Sequence, residues 1–328
     1  YPLRCGQAFS YRFPYVWTLL FDSLSCLGFR RCYRSSIGRR TAELKRKVQN
    51  VKPELIEDLE DPRLDPYLRL TNHQLRCELE PERALLICES QIAIEVALKE
   101  GVRPLSLLAD ESQVGSISSL LAVWPDDVPV LLLPHNMSEK VTGYRLNRGV
   151  LAAMKRPQLP SAEGLLERLC AEKERVRLAV LEGLVDVSNV GALFRSAAAL
   201  DVDGVIVAPS CADPWNRRSV RVSMGTIFQV PWAKAEDRWP GDFFALLERK
   251  GFASVALALT DDAVPLSDPA LKEPLHEALF FGSEGYGLSE AVLSRCARHA
   301  IIPMSHGVDS LNVAASSAVA FWELCANK

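Results

Sequence analysis

Paired cysteines, clustered metal ligands and long apolar runs are all missing from this 328-residue chain. Its nine cysteines (5, 26, 32, 77, 88, 170, 211, 296 and 325) contain no C-x-x-C and no Cys/His metal spacing. An odd, scattered set of this kind reads as reduced packing thiols, not as a disulfide framework or a zinc site. The five histidines (73, 135, 276, 299 and 306) do not cluster either, so no metal is expected. No apolar run reaches the ~18 residues of a membrane span. The nearest, FPYVWTLLF, ends at Asp22, and no membrane contact is expected. The G-x-G-x-x-G dinucleotide fingerprint is absent too, which counts against a nucleotide-dependent enzyme of doubly wound fold.

What the chain has is length and apolar content, 48% of residues, enough for two domains with real cores. Its net charge of -3 conceals an asymmetry. Residues 1–50 hold ten Lys/Arg against two acids, leaving 28 basic and 39 acidic residues for the rest. An acidic body can still bind nucleic acid, but only through a local basic patch. The basic, acid-poor, Ser-bearing extension (residues 1–48) fits a transit peptide for chloroplast or mitochondrion, or a basic tail on a cytoplasmic protein.

Patterning divides the remainder. Residues 41–60 suggest exposed helical turns. From residue 84, ALLICES, PLSLLAD and VPVLLLP read as strands, QIAIEVALKEG as an amphipathic helix stopped by Gly101, and SEKVTGYR as a helix start. This outlines a small α/β domain over residues 49–156 and a linker over 157–175, marked by PQLPSAEG. From 176 to 328 strands and helices alternate, including helices expected over 189–200, near 216–225, and over 241–250 and 288–297, with IFQVPWAKA taken as a strand. Such alternation implies a parallel sheet flanked by helices, with ligands beyond the carboxyl ends of its strands.

Three polar clusters fall at those ends. After the strand RLAVLEG, Asp186, Ser188 and Asn189 have the chemistry of a helix start. Gly191 in the first turn disfavours the helix by ~1 kcal/mol against Ala, so it marks close approach of another group. Arg195 lies off the apolar stripe of Val190, Leu193, Phe194 and Ala197. In LFFGSEGYGLSE a strand runs into Gly282, Gly285 and Gly287 around Glu284, with Ser289 available to cap the next helix. Three glycines in six residues let backbone approach a ligand closely. In HGVDSLNVAASSAVAFWELC, Asp309 and Ser310 are expected to open the final helix, with Leu311 and Asn312 in its first turn, where backbone N–H groups are free. Ala314, Ala315, Ser316, Ser317 and Ala318 keep that helix thin.

Together the clusters resemble the three motifs of the SpoU/TrmH family of RNA ribose 2′-O-methyltransferases (SPOUT superfamily). They stand here as NVGALFR (189–195), FFGSEGYGLS (280–289) and IPMSHGVDSLNVAAS (302–316), with SVRVSMGTIFQVPW between them. LLICESQIAIEVALKEG and TGYRLNRGVLAAMKRP are similar to the ribosomal-protein-like substrate-binding domain that often precedes this fold, although Cys88 departs from its usual glutamate-glycine pair. The resemblance implies a trefoil-knotted α/β domain and a homodimer with an active site drawn from both subunits. It also implies S-adenosylmethionine as cofactor and RNA as partner, ribosomal ahead of transfer. Gly282, Ile302 and Leu311 would contact the cofactor through main chain. Arg195 would be catalytic, and Asn189, Glu284, Ser310 and Asn312 would position substrate or brace the site. Candidate phosphate contacts are Arg145, Arg148, Lys155 and Arg156, and Arg217, Arg218 and Arg221. The alternative is a non-catalytic RNA-binding relative that keeps the fold.

Overall fold

A computed structural model describes residues 53–68, 85–142, 150–236, 238–283 and 285–326. The first sheet contains β1 (Glu54–Leu55), β2 (Leu85–Glu89), β3 (Pro104–Asp110), β4 (Val130–Leu133) and β5 (Val150–Lys155), in the order β1-β4-β3-β5-β2. β5 runs antiparallel to β2 and β3, while β4 is parallel to β1 and β3. Helices α1 (Gln91–Lys99), α2 (Ser118–Val123) and α3 (His135–Thr142) form the connections. The apolar strands are buried almost throughout, as in sheets covered on both faces.

Residues 53–60, expected as part of a helical stretch, are not helical. Glu54 and Leu55 pair with Leu131 and Leu132 of β4, and Ile56 is buried beside Leu131 and Leu133. An edge-strand ladder and apolar burial outweigh a weak local helix preference here. Residues 41–52 and the N-terminal extension lie outside the described residues.

Next come α4 (Ala162–Glu172), β6 (Val176–Leu181), α5 (Val187–Ala199), β7 (Gly204–Val207), α6 (Arg217–Val222), β8 (Trp232–Lys234) and α7 (Gly241–Arg249). They are followed by β9 (Ala253–Leu257), β10 (Val264–Pro265), β11 (His276–Phe281), α8 (Glu290–Leu293), β12 (Arg298–Ile301) and α9 (Val313–Leu324). Every strand pairing is parallel, in the order β10-β12-β9-β11-β6-β7-β8. The helix-flanked parallel sheet expected from the alternation is therefore the fold. Val176, Leu178 and Val180 of β6 pack with α4 and α7 on one face. Ala179 and Leu181 pack with α5 and α9 on the other. α4 falls on LLERLCAEKERV, whose pattern is that of a helix leading into this domain from the linker, and buries Leu165, Leu166 and Leu169 in this core.

Three elements are shorter than their patterns. IFQVPWAKA becomes a 3₁₀ turn at Thr226–Phe228 followed by a three-residue β8. The helix expected over 216–225 stops at Val222, before Gly225 takes a left-handed φ of 86°. The helix expected over 288–297 keeps only Glu290–Leu293, because Ser289 gives it no side-chain cap and Ser254 Oγ draws in the amide of Ala297 at 3.0 Å.

One apolar cluster spans both sheets, joining Leu86 and Ile94 to Val220 and Ile227. At this junction a Cβ on Gly225 would lie 2.9 Å from Val96 and 3.1 Å from Ala93, so α1 rests directly on the turn. A second feature is hidden in the strands. Arg177 and Glu277 face each other in the β6–β11 register, fully buried, with Arg177 Nε 3.5 Å from Glu277 Oε2. Arg177 also donates to the carbonyls of Pro274, Leu275 and Leu324 at 2.9, 3.0 and 3.2 Å. Burial pushes the Glu277 carboxyl up to about 7. The described cysteines (88, 170, 211, 296 and 325) form no disulfide with one another. Burial raises the thiols of Cys88, Cys211 and Cys296, the last to about 12, as expected for packing thiols.

Candidate active site

The glycine-rich segment after β11 is a tight hairpin. Ser283 and Gly287 exchange backbone hydrogen bonds of 3.0 and 2.9 Å, and Gly287 has a φ of 67°. A Cβ on Gly282 would lie 2.2 Å from the Gly287 carbonyl carbon, so only glycine fits where the hairpin folds back on its own strand. Beneath it is a residue that sequence pattern alone does not mark. Glu182, 8% exposed at the end of β6, accepts hydrogen bonds from Trp239 Nε1 at 2.7 Å and from the amide and hydroxyl of Ser289 at 2.8 and 2.9 Å. Ser289 thus braces the hairpin instead of capping α8. The available signal was an acid directly following an apolar strand, but that arrangement also suits an ordinary turn. Glu284 lies outside the described residues.

α5 begins two residues earlier than expected, capped by Asp186, whose carboxylate accepts from the Ser188 amide at 2.8 Å. Gly191 does mark a close approach, and the neighbour is protein: a Cβ there would lie 2.5 Å from the Ser219 carbonyl oxygen on α6. α9 starts later than expected. Asn312 is its N-cap, accepting from the Ala314 amide at 3.0 Å, so Asp309, Ser310 and Leu311 belong to the irregular approach and Asn312 does not lie in the first turn. The same Asn312 side chain donates to Asn189 Oδ1 at 3.2 Å and ties the entries of α5 and α9 together.

The glycine hairpin, the approach to α9 and the ends of β9 and β12 enclose a cleft of about 620 Å³, which no residue of α5 lines. Gly282, Ile302, Ser310, Leu311 and Asn312 all line it. Leu257, Leu288 and Leu293 supply apolar wall, and Thr260 and Ser283 supply hydroxyls. The 258–262 loop on its rim is pinned by Asp262, which meets His299 Nδ1 at 2.8 Å. That carboxylate raises the His299 imidazole above its ordinary value. Arg195 does not line the cleft. It is exposed on α5, and its side chain makes no hydrogen bond or ion pair with another described residue. No group of three His, Cys, Asp or Glu is placed to share a metal ion among the described residues.

The candidate phosphate contacts divide. Arg217 and Arg221 of α6 meet the carboxylate of Glu89 at 3.1 and 3.3 Å, and Arg156 meets Asp213 at 2.6 Å. All three fasten the two sheets to each other. Lys155 and Arg218 face solvent. Arg145 and Arg148 lie outside the described residues.

The model of the SpoU rRNA Methylase family matches residues 177–322. An uncharacterized tRNA/rRNA methyltransferase of Mycobacterium tuberculosis is 39% identical over 268 residues, 81% of this chain and 89% of that protein. The chain belongs to the SpoU rRNA methylase family. It is accordingly an RNA methyltransferase. Another relative, the 23S rRNA (guanosine-2′-O-)-methyltransferase RlmB of Acinetobacter baylyi, is 26% identical over 76% of this chain and 91% of its own length. The likeness of fold to a solved structure extends beyond the matched segment to both sheets. The crystal structure of an AdoMet-bound rRNA methyltransferase from Sinorhizobium meliloti superposes with a TM-score of 0.67 over 84% of this chain and 97% of that one, at 22% identity.

Proposed function

We propose that the protein transfers a methyl group from S-adenosylmethionine to a ribose 2′-hydroxyl of ribosomal RNA. The observation that carries this reading is the convergence of Gly282, Ile302, Ser310, Leu311 and Asn312 on one cleft. They come from segments up to 30 residues apart in the sequence. The name of the RlmB relative supports ribose in 23S rRNA as the acceptor, and a 2′-hydroxyl restricts the substrate to RNA.

The cleft suits the cofactor. Its volume lies within the ~300–1,000 Å³ range of small-ligand sites, and it pairs an apolar wall with irregular main chain at 302–311. Gly282, Ile302 and Leu311 would hold S-adenosylmethionine, which supplies an already electrophilic methyl group. The protein has to align the 2′-oxygen, and alignment can contribute ~7–11 kcal/mol. Asn189, Ser310 and Asn312, with Glu284, position the ribose. Arg195 stabilises the developing alkoxide electrostatically; as a guanidinium it cannot accept the proton, which passes to water or a phosphate. Phosphate contacts come from Lys155 and Arg218, with Arg145 and Arg148.

Arg195 reaches the reaction from a second copy of the chain. An uncovered apolar stripe on α9, with Val319 41% and Trp322 62% exposed and Ala315 beside them, supports a homodimer. The trefoil knot is supported by the path after β12, which turns back past β9 and β11 to lay α9 on α5. The basic residues 1–50 support an organellar address, testable by fusing them to a fluorescent reporter.

Calorimetric titration with S-adenosylmethionine, followed by transfer of labelled methyl to rRNA, tests the whole reading. Absence of cofactor binding would leave the non-catalytic relative as the better description. Arg195→Ala should lower kcat ~100- to 1,000-fold, as loss of one charge-stabilising donor does, with cofactor affinity held within twofold. Near-normal turnover in Arg195→Lys would remove the specific role of the guanidinium.

A further inference from the structure

We propose that Tyr286 is a stacking platform for a nucleobase of the RNA substrate at the mouth of the cleft. This rests on the methyltransferase reading above and adds a substrate contact to it. Tyr286 is the most exposed large hydrophobic side chain of the described residues, at 97%. It nevertheless belongs to the cleft lining, together with Leu259 and Leu311, which are 66% and 41% exposed. Apolar residues gathered around one opening and interspersed with polar groups mark an interaction site.

The backbone that carries the ring is held. The backbone amide of Tyr286 donates to Ser283 Oγ at 3.2 Å. The hairpin beneath it is closed by the Ser283–Gly287 pair, and Gly282 leaves that pair no slack. A fixed backbone under an aromatic side chain reduces the entropy lost when a ligand covers the ring. The size of the ligand follows from the exposure. A residue that walls a small-molecule pocket is already sheltered in the free protein, as Leu288 is at 6%. A ring that is almost wholly in water offers its face to something laid across the opening. Single-stranded RNA meets that description, since unstacked bases are received on aromatic side chains without regard to sequence.

The test uses the full-length protein, an unmethylated transcript of large-subunit rRNA, and an oligoribonucleotide carrying 2-aminopurine. Tyr286→Ala should raise KM for the transcript about 5- to 150-fold, the range that corresponds to ~1–3 kcal/mol per stacked base. kcat at saturating RNA and the calorimetric affinity for S-adenosylmethionine should stay within twofold. Tyr286→Phe, which keeps the ring, should behave as wild type. The 2-aminopurine fluorescence should be quenched by wild type and Tyr286→Phe, and less so by Tyr286→Ala. An unchanged KM in Tyr286→Ala overturns the proposal. So does weaker cofactor binding with unchanged RNA affinity, which would make Tyr286 a cofactor contact. A shifted association state in sedimentation would make it a subunit contact and also overturns it. If wild type transfers no methyl group at all, the methyltransferase reading fails instead, while the quenching measurement still reports on stacking.

Discussion

Ser90, the N-cap of α1, holds a φ of 93° and a ψ of 144°, a region where a Cβ is strained by ~1–3 kcal/mol. Its hydroxyl reaches the Ala93 amide only at 3.4 Å, and glycine at an N-cap loses just a few tenths of a kcal/mol. Ser90→Gly should therefore stabilise the protein by ~1 kcal/mol, raising the thermal midpoint by ~2 °C. A lowered midpoint in calorimetry would mean that the cap outweighs the strain. Cys88, which departs from the glutamate-glycine pair usual in this strand, lies quietly in the core, its Sγ 3.6 Å from Met154 Sδ. The unusual residues are the next two, Glu89 and Ser90. Legibility at this scale followed chemistry. Asn189, Ser310 and Asn312 are marked by polar chemistry at a helix entry, and Gly282 by the glycine spacing after a strand. Glu89 and Glu182 are not, since an acid after a strand looks like a turn until its partners, more than 50 residues away, are seen.

Among elements, the contact between α5 and α6 is the tightest near the site. Alanine in place of Gly191 would gain ~1 kcal/mol of helix propensity but would set a methyl 2.5 Å from the Ser219 carbonyl oxygen. That neighbour is backbone and cannot swing aside. Gly191→Ala should be destabilising by ~1–3 kcal/mol in chemical denaturation, and should lower methyl transfer because α5 carries Asn189 and Arg195. An unchanged denaturation midpoint would show that α6 can retreat. Helix existence was readable from periodicity throughout α1, α5, α7 and α9. Helix ends were less so: Asp309 and Asn312 have equal capping chemistry, and only the partner Asn189 across the site selects Asn312. β10 gave no local signal, because two residues acquire a strand's hydrogen bonds only beside β12.

Across the whole molecule, the buried Arg177–Glu277 pair couples folding to pH. The Glu277 carboxyl titrates near 4.5 when unfolded and near 7 when folded. A raised folded value means that its stabilising contribution is complete below pH ~4.5 and is lost as pH rises toward 7. Glu277→Gln abolishes this titration. The stability of wild type relative to Glu277→Gln should thus fall by a few kcal/mol between pH 4.5 and 7, and then level off. Parallel pH profiles for the two proteins in urea unfolding would refute it. The same scale governs the basic residues. Arg156, Arg217 and Arg221 could have faced RNA as far as composition could tell, but docking of the small sheet commits each of them to a carboxylate. What the sequence by itself determined was the parallel sheet, the order of its elements and the three polar clusters, because alternation, glycine spacing and capping chemistry act within a few residues. What only the tertiary structure decided was which of those groups meet: Asn189 with Asn312, Glu182 with Ser289, Arg177 with Glu277. Those pairs are separated by about 100 residues or more, and burial and strand register, which no local pattern encodes, bring them together.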